Sequence, residues 1–207
     1  MKLLNNSIVG AVAAAGLSLL AAQAQAAPVA GVTLGFDFVS LDSKVFLPTL
    51  KAQKITPAGV KPGSVTLYKS GGGEAWFPVS GGAVDTTSFK FDADHSGGLS
   101  LACGTTTVDM TALAFDSASK TVTGIVVVDD AANSQGGDLS GRLPLFTLDL
   151  TSAKNKTGKG TVSISGVALS LTSGAVTALN TAFNGCGALP TGSTIPVGTA
   201  TLLLFVK

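Results

Sequence analysis

Chemistry in this chain has to be assembled from very few side chains. The 207 residues hold one histidine, His95, and one tyrosine, Tyr68, and Glu74 is the single glutamate. His95 stands in the stretch FDADHSGGLSL, Phe91 to Leu101, between acidic residues and a Gly-Gly step. Asp92, Asp94 and Ser96 fall at alternate positions before Gly97, as at the start of a D-x-D-x-[DNS]-G calcium loop. The residue that should close such a loop is Cys103, which has no carboxylate, and the flanks read as strands instead of EF-hand helices. Calcium is therefore not expected. The plain reading of the stretch is a polar hairpin turn whose aspartates bond nearby backbone. The functional reading places Asp94, His95, Gly97 and Gly98 at the mouth of a ligand pocket. His95, largely neutral near pH 7, would be its key polar group, able to accept a hydrogen bond or coordinate a metal. Gly97 and Gly98 would let the backbone turn sharply and approach a flat ligand.

Catalysis has little to draw on. A Ser-His-Asp arrangement would have to use His95 as its base, and no G-x-S-x-G elbow is present. Glu74 lies in a flexible Gly run, and Asp129-Asp130 is a carboxylate pair typical of turns. The chain is not expected to be an enzyme, and no catalytic residue is assigned. Trp76, beside Phe77 and Pro78, reads as packing and not as a cofactor platform. Cys103 and Cys186 lie far apart, belong to no C-x-x-C motif, and have too few companion ligands for zinc. In an oxidising compartment they are expected to form a disulfide.

That compartment is indicated by the first residues. Lys2 precedes an apolar run, Ile8 to Ala22, and Ala24-Gln25-Ala26 offers a signal-peptidase site. Residues 1–26 are expected to be a cleaved signal peptide and 27–207 a single domain, exported to the periplasm or cell surface. Removing the leader leaves 181 residues with twelve basic and twelve acidic side chains, Arg142 being the one arginine. This balance offers no footprint for nucleic acid or anionic lipid. No segment after the leader is long and apolar enough to span a membrane as a helix.

The elements that must position these residues are mostly strands. Ala27 to Ser40 reads as a first strand, and residues 42–55 as a helix capped by Asp42 or Ser43, with Pro48 an awkward guest. From Ser64 onward the apolar period changes from four to two. SFKF places Phe89 and Phe91 on one face, and GLSLAC places Leu99, Leu101 and Cys103 on one face. TVDMTALAFD and TVTGIVVVDD read as a hairpin joined by SASK, followed by the loop AANSQGGDLSG and further strands. Residues 172–184 return to fourfold spacing through Leu171, Ala175, Leu179 and Phe183, a helix begun by Thr172 or Ser173 and closed by Gly185. VGTATLLLFVK reads as a central strand. The expected fold is mainly β: an antiparallel sandwich or open barrel with two accessory helices.

Five of these pieces in order, WFPVSGGAVD, DHSGGLSL, GRLPLFTLDL, LTSGAVTALNTAF and PVGTATL, resemble the HtaA-like domain family of exported bacterial proteins. The likeness covers roughly residues 38 to 205. It implies a β-rich domain with a helix near its C-terminal end, and its founding members bind haem at the cell envelope during iron uptake. Their haem iron is held through a tyrosine, supported by a histidine next to a Gly-rich step. His95 matches the histidine position; Tyr68 stands after the first expected helix, not within it. The resemblance thus implies haem as cofactor, with Tyr68 or His95 at the iron and haem or a haem protein as partner. If the two residues share a pocket, Tyr68 would ligate and His95 would orient it. The alternative from another class is a structural or adhesive envelope protein without a small-molecule site.

Overall fold

A computed structural model describes residues 29–130, 137–183, 186–192 and 194–207. The expected leader, Gly185 and residues 131–136 of the expected polar loop lie outside the described residues. The elements run β1 (Val29–Leu41), α1 (Phe46–Ala52), β2 (Thr56–Val60), β3 (Ser64–Leu67), β4 (Gly73–Asp85), β5 (Phe91–His95), β6 (Gly98–Cys103), β7 (Thr106–Asp116) and β8 (Thr121–Asp130). They continue β9 (Gly137–Asp149), β10 (Lys154–Gly158), β11 (Thr161–Leu171), α2 (Ser173–Ala182) and β12 (Ile195–Val206). The fold is mainly β and antiparallel, as the alternation indicates.

Eight strands close on themselves in the order β7-β5-β4-β1-β12-β11-β9-β8, with β8 pairing back to β7. The terminal strand β12 is central, held between β1 and β11. Closure removes two sheet edges that would otherwise be open to other chains. The interior is filled by one alternate set of side chains, including Val39 and Leu41 of β1, Phe77 of β4, Phe115 of β7, and Leu202 and Leu204 of β12. Burying each such side chain is worth about 1.5–3 kcal/mol.

Strands β5 and β6 are one path along β7, broken by the step Ser96-Gly97: Asp94 pairs with Ala114, and Gly98 with Thr111. The stretch around His95 is therefore not a hairpin turn. At this break the sheet forks. β4 pairs with β3 near its start and with β5 further on, while β6 pairs with β2. β2 and β3 thus sit as a wedge between β4 and β6. Opposite the fork β7 bulges, with Ala112 at φ 49°, and Arg142 Nη1 donates to the Ala112 carbonyl at 2.6 Å.

Both helices are shorter than the spacing predicts. The N-cap of α1 is Val45, with no side-chain cap, in place of the expected Asp42 or Ser43. Asp42 instead closes the preceding turn, accepting from the backbone N–H of Lys44, Val45 and Phe46, and these bonds, chiefly that from Val45, hold its carboxyl below the usual range. Pro48 falls in the first turn of α1, where no N–H partner is missed. The expected helix 42–55 nonetheless spans only Phe46–Ala52, because Ile55 turns inward and Thr56 starts pairing with Ala102 of β6. Thr172 caps α2 through its side chain, accepting from Ala175 N at 3.0 Å. Phe89 does not share a strand face with Phe91: it has φ 56° and belongs to the turn before β5.

Cys103 and Cys186 form a disulfide, 83 positions apart in sequence and with Cα atoms 5.8 Å apart. It ties β6 to the segment after α2. That segment also reaches α1, since Gln53 Oε1 accepts from Ala188 N at 3.0 Å.

Candidate functional site

The structure separates the two residues that could ligate a metal. Tyr68 follows β3 in a tight loop closed by Tyr68 N to Gly72 O at 2.8 Å and Gly71 N to Tyr68 O at 3.0 Å. It is 46% exposed. Its ring lines a groove of about 470 Å³ between this loop, α1 and the start of β2. Leu47, Leu50, Ile55, Pro57 and Leu67 form apolar walls, and Lys51 and Lys54 supply two cations. The Tyr68 hydroxyl donates to Glu74 Oε2 at 2.8 Å, and that bond raises the phenol above its ordinary value. Neither Glu74 as a partner nor the lysines of the groove was singled out from sequence. They become neighbours of Tyr68 only through the β3–β4 loop.

His95 is buried at 4% exposure inside the barrel. Its Nε2 lies 3.6 Å from Oδ2 of Asp37, which is fully buried on β1. Its Nδ1 is 3.1 Å from the Ala93 carbonyl, and Phe115 packs on the ring at 4.5 Å between centroids. Both Asp37 oxygens and His95 Nε2 lack a hydrogen-bond partner. Burial pushes Asp37 up to about 8 and His95 down to about 4. A neutral acid facing a neutral imidazole is the state that costs least in such an interior.

The residues of the His95 stretch make close contacts within the chain. A Cβ on Gly97, at φ 78°, would lie 2.5 Å from Gly63 N and Val60 O, so the close approach is to the β2–β3 turn. A Cβ on Gly98 would meet Met110 O at 1.9 Å. Asp94 points outward from β5, away from His95, and its carbonyl accepts from Ser80 Oγ at 3.1 Å. Asp92 is exposed and accepts from Ala83 N at 2.6 Å, bonding across to β4 and not to its own loop. No cluster of three metal-ligating side chains occurs among the described residues.

The barrel interior is not a calyx. The cavity between Val39, Phe77, Phe115 and Phe146 holds about 20 Å³, room for roughly one water, and its lining is apolar.

Haem, as the family resemblance implies it, can be tested against these two places. The groove fits a flat apolar ligand with two anionic groups, by volume, walls and paired lysines. The interior does not fit it. Among the residues lining the groove, Tyr68 is the one whose type could hold haem iron in the way the resemblance implies, and His95 is not among them.

The chain is thus a closed antiparallel barrel with accessory strands, an HtaA-like fold. It is similar to the crystal structure of the C-terminal domain of HtaA from Corynebacterium glutamicum, with TM-score 0.51 and 16% sequence identity. The match covers 86% of this chain and 99% of that one. At this identity the relationship is a distant one of fold. No protein-family model and no curated protein matches the chain.

Proposed function

We propose that this is an exported, non-enzymatic binding module that takes a flat apolar ligand carrying anionic groups, haem first among them, in the Tyr68 groove. The observation that carries the reading is the groove itself: apolar walls, a tyrosine, and Lys51 and Lys54 at one site. Haem bound there would bring an open ferric coordination position. Tyr68 would hold the iron through its phenol oxygen and Glu74 would accept the phenol proton, while Lys51 and Lys54 would pair with propionates. Among the described residues Glu74 is the one carboxylate hydrogen-bonded to Tyr68, and in this reading it would do what the resemblance assigns to His95. Export is supported by the disulfide, which fits an oxidising compartment.

Hemin titration of the purified chain tests the reading. A Soret band saturating at one equivalent is expected, and Tyr68→Phe should shift the band and weaken binding at least tenfold. Absence of any saturable band would overturn it and favour the structural or adhesive alternative.

A further inference from the structure

The outer face of the barrel carries an aromatic patch that neither the core nor the groove uses. On β1, Leu34, Phe36 and Phe38 point outward, with Leu34 49% and Phe38 37% exposed. Phe36 pairs with Pro78 on one side and Leu203 on the other, and Phe38 pairs with Trp76. Ring contacts join the set: Phe36 stacks on Trp76 at 5.7 Å and meets Phe205 edge-on at 6.3 Å. Such contacts stabilise a sheet by themselves, yet Leu34 and Phe38 remain in water, where an apolar patch marks an interaction surface.

The rows of this patch end in lysine. Leu203 pairs with Ser163 and Ser163 with Lys156; Thr201 pairs with Ser165 and Ser165 with Lys154. Residues opposite one another share a face, so Lys154 and Lys156 stand on the face of the aromatics, about 14 Å from Phe36 and Phe38 across three strand spacings. Lys159 and Lys207 are exposed, and Val206 N donates to Gly160 O at 3.0 Å, which joins the residues next to them. From Leu150 to Lys207 there is no aspartate or glutamate at all. The balanced total charge hides this segregation, and the exclusion of anionic lipid drawn from composition does not hold for this face. Lysines on the edge strand β10 also protect it from pairing, but that role does not require an aromatic set on the same face.

We propose that this face docks on an anionic lipid surface: the aromatics enter the headgroup boundary, and Lys154 and Lys156 pair with lipid phosphates. Trp76 is the chain's only tryptophan, so its emission reports this face alone. The test mixes the protein with vesicles of phosphatidylcholine alone and of phosphatidylcholine with phosphatidylglycerol. Co-sedimentation and a blue-shifted Trp76 emission are expected with the anionic vesicles and not with the neutral ones. Lys154→Gln with Lys156→Gln should weaken binding about 30-fold, equivalent to about 1 kcal/mol per lysine. Phe38→Ser, at an exposed position, should weaken it while leaving the fold intact. Equal binding to both vesicle types, or none to either, overturns the proposal. So does a blue shift without lipid accompanied by a doubled mass in light scattering, which would assign the face to a second copy.

Discussion

Around Tyr68 the chain builds with a short helix and a tight loop; around His95 it builds with the inner faces of strands. The groove is wet and apolar-walled, and its tyrosine keeps a carboxylate partner in reach. The barrel pair is buried, with His95 Nε2 facing Asp37 Oδ2 at 3.6 Å, and neither Nε2 nor the Asp37 oxygens has a hydrogen-bond partner. A ligand can enter the first place without moving the core. It cannot enter the second without unfolding part of it. Rarity of a residue type therefore goes with two different settings here: the groove at which binding is proposed, and a buried polar pair at the fork of the sheet.

The largest effect that sharpens this contrast belongs to the disulfide. Replacing Cys103 and Cys186 by Ser should lower stability by about 4–5 kcal/mol for a closed loop of this length. Because Gln53 at the end of α1 bonds the segment beside Cys186, ligand affinity at the groove should fall as well. Urea melts and hemin titrations of the same variant would show both changes.

Next comes the interior. His95→Ala leaves a cavity and the Asp37 carboxyl without its facing imidazole, and should cost about 2–4 kcal/mol in urea melts. Hemin affinity at a temperature where the variant is folded should be unchanged. A lost Soret band in this folded variant would break the comparison.

The pH dependence follows from the same pair. The raised Asp37 contributes stability below its ordinary value, and this is lost as pH rises toward about 8. The lowered His95 contributes stability above its ordinary value near 6.5, lost as pH falls toward about 4. Between about 4 and 6.5 the folded pair and the unfolded chain each hold one proton, so the two contributions cancel and the profile is flat. Between 6.5 and 8 only the folded pair keeps its proton, so stability should fall with rising pH, by about 2 kcal/mol. Asp37→Asn should remove that slope in denaturant melts recorded across the range.

The smallest effect on stability is expected at Tyr68. Tyr68→Phe removes an exposed hydroxyl and should leave the melting temperature unchanged within error while weakening hemin binding.

The sequence showed the strands well where only one face is apolar. GLSLAC placed Leu99, Leu101 and Cys103 together, and the disulfide follows from that face and from the helix that ends before Cys186. It was less informative where both faces are apolar. In LGFDFVSL the period of two puts Asp37 with Val39 and Leu41, a signal that was present, but Phe36 and Phe38 offer an equally apolar face. Only the barrel decides that the aspartate goes in and the phenylalanines go out. The fork was hidden for a related reason: Gly97 and Gly98 look like a turn, and the backbone they admit, the Val60–Gly63 turn and Met110, is distant in sequence. The groove needs two separate stretches, residues 47–57 and 67–72, to meet, which no local pattern reports.

The central claim, that ligand enters at Tyr68 and not at His95, is tested most directly by amide NMR during titration with gallium protoporphyrin, a diamagnetic analogue of haem. The account predicts shifts confined to residues 47–57, from α1 into the start of β2, and to residues 67–72, with His95, Asp37 and Phe115 unmoved. Shifts centred on His95 and Asp37, or no saturable shifts at all, would contradict it.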